Sequence, residues 1–278
     1  MHKILVIIVI YNKSIHDLNL IQNINENNDK DLDIFIYDNS PNPQNIPTID
    51  GINIYYEHDK KNSGVSRAYN QGAVKAQELG KDIILLLDQD TNFRFQYLKK
   101  YLLLYNQYGN EYIYAPIISD QSNTKIYSPS YMQNFVGKAL PINEFEYMEK
   151  YNLTDKSAIN SGLMLPLTAF KKIGGFNEKI KLDFSDIYFI EKYKTINIDI
   201  ILLDIYIEHS ISGDEGKNYG TEMHRYKYYC NGAKELSSSL STSTVWTVTR
   251  RMLRLVQKYS SLKPISIYIN YYLGNKKI

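Results

Sequence analysis

The sequence predicts an α/β fold built on a mostly parallel, wound sheet. Three observations predict it. Short apolar, β-branched runs recur at residues 4–10, 32–37, 52–56 and 83–87. Such runs suit strands buried on both faces by helices. Stretches of helical spacing lie between them, and strands alternating with helices over about 90 residues imply a right-handed parallel arrangement. The runs also end in polar clusters, the chief being Asp88-Gln89-Asp90. In open α/β sheets ligands sit beyond the carboxyl ends of strands.

The elements follow in order. Residues 4–10 form the first strand, and Tyr11, Asn12 and Lys13 its exit loop. Ser14 is placed to cap a helix through Ile15, Leu18 and Ile21. The second strand runs to Tyr37 and gives way to Asp38-Asn39-Ser40-Pro41, a turn cluster. The third ends near Tyr56. After Asn62-Ser63-Gly64 a helix is expected from Val65 to Leu79, closed by Gly80. The fourth strand, 83–87, leads into Asp88. Beyond it the expectations are a helix over 93–108, a strand over 113–118 and a polar loop or flap over 120–150. A glycine-broken strand over 158–166 comes next, then a short helix capped by Thr168 and a helix over 184–193. Two strands close the series, at 198–203 and 205–207.

Composition narrows the function. Lys plus Arg number 32 against 30 acids, a net charge of +2, which does not suit a binder of nucleic acid driven by phosphate neutralisation. One cysteine, Cys230, allows no internal disulfide and fits a reducing compartment. No apolar run approaches the roughly 18 residues of a spanning helix. The expectation is therefore a cytoplasmic protein, with association at the inner face of the cell membrane as its one membrane role. No Gly-x-Gly-x-x-Gly turn follows the first strand, so a glycine-loop dinucleotide grip is not expected.

Asp88 and Asp90 stand two apart at a strand end. If the strand continued, they would project together. Like charges so close repel unless a cation compensates, and a divalent ion with hard oxygen ligands could do so while bridging a phosphate.

Four ordered blocks carry a family resemblance. They are Asp38-Asn39-Ser40; Asn62-x-Gly64-x-x-x-Ala68-x-Asn70-x-Gly72; Leu87-Asp88-Gln89-Asp90-Thr91; and Gly174-Gly175-Phe176-Asn177-Glu178 followed by Asp183-x-x-Asp186. Over residues 3–215 they resemble the GT-A nucleotide-sugar glycosyltransferases of the large inverting family 2, in its rhamnosyltransferase-like branch. The resemblance implies a GT-A domain at 1–215, with a nucleotide-binding half at 1–118 and an acceptor half at 119–215, and a helical extension at 216–278. It implies that Val9, Tyr11, Asn12, Asp38, Asn62, Gly64, Asn70, Asp88, Gln89 and Asp90 bind the nucleotide sugar. Asn160, Ser161 and Gly162 would line the acceptor side. Asp90, Asp88 and His209 would hold manganese or magnesium. Asp186 or Asp183 would be the general base that takes the acceptor hydroxyl's proton.

In the tail, Val245, Val248, Met252, Leu253 and Val256 recur at helical spacing, with Arg250, Arg251, Arg254 and Lys258 mostly opposite. This basic amphipathic helix, residues 245–258, could lie on an anionic membrane or pack on the domain or in a homodimer. The resulting reading is an inverting, metal-dependent transferase. It would move a sugar, rhamnose by the branch resemblance, from a nucleoside-diphosphate donor to a glycan or lipid-linked acceptor in cell-surface polysaccharide synthesis. Two alternatives compete. One is a non-catalytic relative that binds nucleotide or glycan as an assembly partner. The other is a haloacid-dehalogenase-type phosphatase, which also uses Asp-x-Asp after an apolar strand, but normally on the first strand.

Overall fold

The structure is a computed structural model, and it describes residues 3–24, 31–120, 122, 124–208 and 218–276. The chain opens with β1 (Ile4–Ile10), a tight turn at Ile15–Asp17 and α1 (Asn19–Ile24). Ser14 does cap here, accepting from the His16 N–H, but it caps the turn rather than one continuous helix. β2 (Leu32–Asp38), β3 (Ile52–His58), α2 (Val65–Glu78) and β4 (Ile83–Asp88) follow. The four strands pair in parallel in the order β3-β2-β1-β4. Odd residues of β1 (Leu5, Ile7, Val9) enter one core with α2, and even residues (Ile4, Val6, Ile8, Ile10) enter the other with α1. This is the period-two alternation of a strand covered on both faces.

Next come α3 (Tyr97–Tyr108), β5 (Tyr114–Ser119), β6 (Lys125–Gln133), β7 (Val136–Pro141), β8 (Lys150–Asn152), β9 (Lys156–Ser157) and β10 (Met164–Pro166). Three expectations are corrected. The helix expected from residue 93 begins at Tyr97, because Phe93 and Phe95 are buried in the preceding loop. The stretch 120–150 is no polar flap: β6 and β7 form a hairpin, and β6 pairs with β5. Of the broken strand over 158–166 only β10 is a strand, and it inserts antiparallel between β4 and β5. Gly162 precedes it with φ +79°, where a Cβ would meet the Pro116 ring at 2.6 Å.

α4 (Leu167–Ile173), α5 (Ser185–Lys194) and β11 (Asp199–Glu208) complete the sheet, β11 lying parallel to β5. Pro166, not Thr168, occupies the cap position of α4, in keeping with the tolerance of helix starts for proline. The two expected late strands are one, bulged between Leu202 and Tyr206. Then α6 (Tyr219–Leu240), α7 (Val245–Tyr259) and α8 (Lys263–Ile267), continued by a wider-wound turn at Tyr268–Leu273, build a third core around Ile180 and Phe184. Among the described residues no helix is long and apolar enough to cross a membrane.

Gly72 lets α2 lie flat on β1, where an added Cβ would meet Ile7 Cδ1 at 2.3 Å. Overpacking costs about 1–3 kcal/mol, against up to about 1 kcal/mol regained in helix propensity. Gly72→Ala is expected to lose about 1–2 kcal/mol, read as a melting point lower by several degrees. A melting point equal to wild type would show that Ile7 yields freely.

Candidate active site at the carboxyl edge of the sheet

The ends of β1, β2 and β4 are stitched together by their own loops. The Tyr11 N–H donates to Gln89 Oε1 (2.7 Å), Lys13 Nζ to the Gln89 carbonyl (2.7 Å) and the Asn12 N–H to Ser40 Oγ (2.8 Å). Asn12, with φ +53°, turns the chain there. Val9 sits in register between Tyr37 and Asp88 and is almost wholly buried.

Asp38, expected at the nucleotide, is held by its own loop in this structure. It has no exposed surface. Its Oδ1 accepts the Ser40 N–H (2.8 Å), and its Oδ2 accepts Tyr56 OH (2.8 Å) and Gln44 Nε2 (3.1 Å). The carboxylate therefore fixes the loop after β2. Asn70 is likewise engaged by the protein. Its amide donates to the Phe176 carbonyl (3.0 Å) and Glu178 Oε1 (3.1 Å), and its oxygen accepts the Phe176 N–H (2.9 Å). It latches α2 to the Gly174-Gly175-Phe176 loop.

That latch matters because α2 begins at the site. Gly64 caps it with φ +96°, and a Cβ there would meet the Lys181 carbonyl at 2.2 Å. Asn62 also takes a left-handed conformation, φ +48°. Ser66 Oγ bonds the Ile180 carbonyl (2.5 Å) and Ser185 Oγ (2.8 Å). The start of α2 and the Lys181–Asp186 segment are thus one assembly, although 110 and more residues separate them in sequence.

The acids meet across this assembly. β4 ends at Asp88, and the Thr91 N–H closes a turn onto the Asp88 carbonyl (3.1 Å). Strand alternation therefore stops at Asp88 and does not align Asp90 with it. Convergence comes instead from Tyr69 of α2. Its buried hydroxyl donates to Asp88 Oδ1 (2.8 Å). Burial, then Asp88, then Asp186 and Asp90 hold that phenol protonated well above its ordinary range. Asp88 thus touches this hydroxyl, and the charges of Asp186 and Asp90 reach it from two further positions.

Asp186 lies in the first turn of α5, and its Oδ1 accepts the Ile187 N–H (2.8 Å). Burial pushes its carboxyl up to about 6; the Ile187 N–H opposes this, and the charges of Asp88 and Asp183 add to it. Asp183 is committed elsewhere. Its Oδ1 lies 3.2 Å from Arg225 of α6 and 3.8 Å from Arg251 of α7. Arg251, expected with the outward cations of the tail, is therefore turned inward, stacked 4.0 Å over the Tyr229 ring.

Of the residues expected to line the acceptor side, Ser161 Oγ bonds Thr91 Oγ1 and Gly162 accepts Tyr101 OH (2.6 Å), and both are buried. Asn160 is different: its Oδ1 is buried without a hydrogen-bond partner. A buried unmatched acceptor is costly and marks a place where a ligand group could pair. Beside the ends of β2 and β3 lies a cavity of about 440 Å³, walled by Tyr37, Glu57, His58, Asp59, Ser63 and Arg67. None of these was expected from sequence. Hydrogen bonds from Ser63, Lys61 and Tyr37 outweigh burial and hold Asp59 below the usual carboxylate range.

For a divalent cation, Asp88 and Asp90 offer two hard oxygen donors at one turn. Substrate phosphates and water commonly complete such a shell. Burial is the main cause of the raised Asp186 carboxyl, and the repulsion from Asp88 that adds to it fits a site that gains from a cation. Among the described residues no three His, Cys, Asp or Glu side chains gather as a metal cluster. His209, expected as a further ligand, lies outside the described residues.

A family model described as glycosyl transferase family 2 matches residues 5–174. A curated relative, dTDP-rhamnosyl transferase RfbF of Shigella flexneri, is 25% identical over 222 residues, 78% of this chain and 72% of its own. Among solved structures, S. aureus TarS 1–349 in complex with UDP-GlcNAc aligns with TM-score 0.55 at 12% identity, covering 97% of this chain and 89% of that one. GalNAc-T7 with UDP, GalNAc and Mn2+ aligns with TM-score 0.55 at 10% identity, over 99% of this chain and 59% of the other. The mannosyltransferase PcManGT from Pyrobaculum calidifontis, in complex with GDP-Man and Mn2+, gives 0.51 at 11% identity, over 95% and 78%. Those structures speak for the fold, and the family match sets aside the phosphatase alternative. The chain belongs to glycosyl transferase family 2 and is a nucleotide-sugar glycosyltransferase of the GT-A fold.

Proposed function

We propose that the protein is an inverting, metal-dependent transferase with Asp186 as its general base. The observation that carries this reading is the Tyr69–Asp88 hydrogen bond, within reach of the charges of Asp90 and Asp186, with the buried Asp186 carboxyl raised to about 6. A carboxyl poised near neutrality can accept a proton from an acceptor hydroxyl at physiological pH. Asp183, held by Arg225 and Arg251, positions the loop that presents Asp186. Asp90 and Asp88 would hold manganese or magnesium, which when bound neutralises charge on the leaving diphosphate. Tyr11, Asn12, Gln89, Asn62 and Gly64 shape the donor edge, and the cavity at Tyr37 and Arg67 is the candidate seat for the base and ribose.

The Shigella flexneri relative makes dTDP-rhamnose the first donor to try. The acceptor is a glycan or lipid-linked glycan of cell-surface polysaccharide synthesis. Peripheral membrane binding through residues 245–258 fits that acceptor. α7 exposes Trp246 (64%), Leu253 (57%), Arg250 and Arg254 on one side. After Glu235 the chain carries seven Lys and Arg and no acid, so the other 25 basic residues face all 30 acids in the first 235. A cationic helix face with an exposed tryptophan suits an anionic lipid surface.

The test is a thermal-shift panel of nucleoside diphosphates and nucleotide sugars, with and without manganese. One base is expected to raise the melting point, more with manganese than without. No shift with any nucleotide would contradict the reading. Binding of donor without transfer to any acceptor would favour the non-catalytic alternative.

A further inference from the structure

A second cavity, of about 390 Å³, shares no lining residue with the Tyr37 pocket. Lys179 and Lys181 form one wall, Tyr228 and Lys234 of α6 another, and Tyr271 and Lys276 the third. One acid, Glu235, also lines it and lies 3.9 Å from Lys179. The other three ammonium groups have no such partner. Lys234 is held by neutral acceptors, the Gly274 carbonyl and Asn275 Oδ1 (2.8 Å). Lys181 and Lys276 make no ion pair among the described residues and stand 5.9 and 5.8 Å from the ring centres of Tyr228 and Tyr271. Three uncompensated cations around one cavity repel one another, and a multivalent anion relieves that repulsion.

The groove is joined to the reacting centre. The Lys181 carbonyl accepts the Val65 N–H (2.8 Å) at the start of α2. Asp183, two residues on, packs against Gly232 of α6, where a Cβ would meet its carbonyl at 2.6 Å. The groove is thus tied through the Lys179–Asp183 segment to the loop that carries Asp186.

We propose that this groove binds a phosphate or diphosphate carried by the acceptor, with the tyrosines flanking the group attached to it. The proposal rests on Asp186 marking the acceptor side. Lysine ammonium groups bind phosphate as point charges, and flanking rings cover the apolar faces of a sugar or alkyl neighbour.

Two soluble probes test it by calorimetry on the full chain without nucleotide: a short poly(glycerol phosphate), and dodecyl diphosphate below its micellar concentration. At least one is expected to bind. Lys181→Gln with Lys276→Gln should weaken it by about tenfold or more, and Lys181→Arg with Lys276→Arg should keep most of the affinity. Binding should persist when the nucleoside diphosphates of the thermal-shift panel are added. Preference for the polymer points to a phosphodiester glycan, and preference for the alkyl diphosphate to a lipid-linked one. Failure of both probes, equal binding by the glutamine variant, or displacement by a nucleoside diphosphate would overturn the proposal. Should the glutamine variant unfold, the arginine variant decides: loss of binding from that folded, charge-retaining protein also overturns it. The nucleotide panel does not touch these lysines, so the two readings fail separately.

Discussion

Asp186→Asn is expected to lower turnover by about a thousandfold while leaving the nucleotide-dependent thermal shift intact. A positioned general base contributes about 10²–10⁴ in rate, and the amide keeps the shape but cannot take the proton. The same substitution should stabilise the protein at pH 8. The sign follows from linkage. Asp186 titrates near 6 in the fold and near the ordinary 3.8 when unfolded. Between those values the folded chain holds the extra proton, so stability falls as pH rises through the window. Two units correspond to about 3 kcal/mol at most, and partial exposure of Asp186 brings the expectation down to about 1–2 kcal/mol. The variant should therefore melt several degrees higher than wild type at pH 8 and alike at pH 4. In the wild type, kcat/KM should rise with pH up to about 6 and then level. Full activity in the asparagine variant, or a flat profile across pH 5–7, would remove Asp186 from the role.

Asp90→Ala is expected to abolish the manganese-dependent part of the nucleotide thermal shift without unfolding the chain. A ligand at a hundred times its dissociation constant stabilises by about 2.7 kcal/mol, and that gain is what the variant should forfeit. Asp90 sits in a partly exposed turn, not in the core, so its loss should leave the melting point of the ligand-free protein nearly unchanged. A manganese response equal to wild type would mean that the cation binds through other groups.

The sheet was legible because its strands are unbroken apolar runs. β1, β2, β3 and β4 fall within two residues of the expected ends, and α2 within one. The region after residue 119 was less so. β6 begins with lysine and contains Pro129, and β7 is short and largely exposed, so neither shows the alternation that marks a half-buried strand. The carboxylates were visible as motifs, but their surroundings were not. Asp38 and Asp183 look alike in sequence. In the fold one is tied to Tyr56 and Gln44, and the other to arginines 42 and 68 positions away. Long-range partners leave no local pattern. Tyr69 was hidden for a related reason: on a helix face a tyrosine reads as packing until the structure shows what its hydroxyl meets.

In the proposed enzyme, the Asp88–Asp90 turn and Asp186 frame one site for the donor's diphosphate. A crystal structure with manganese and the nucleoside diphosphate selected by the thermal-shift panel tests it most directly. The account predicts the diphosphate against that turn, an anomalous manganese signal at Asp90, and Asp186 facing the open side where the acceptor enters. Nucleotide and manganese seated away from these carboxylates, in the lysine groove for example, would contradict it.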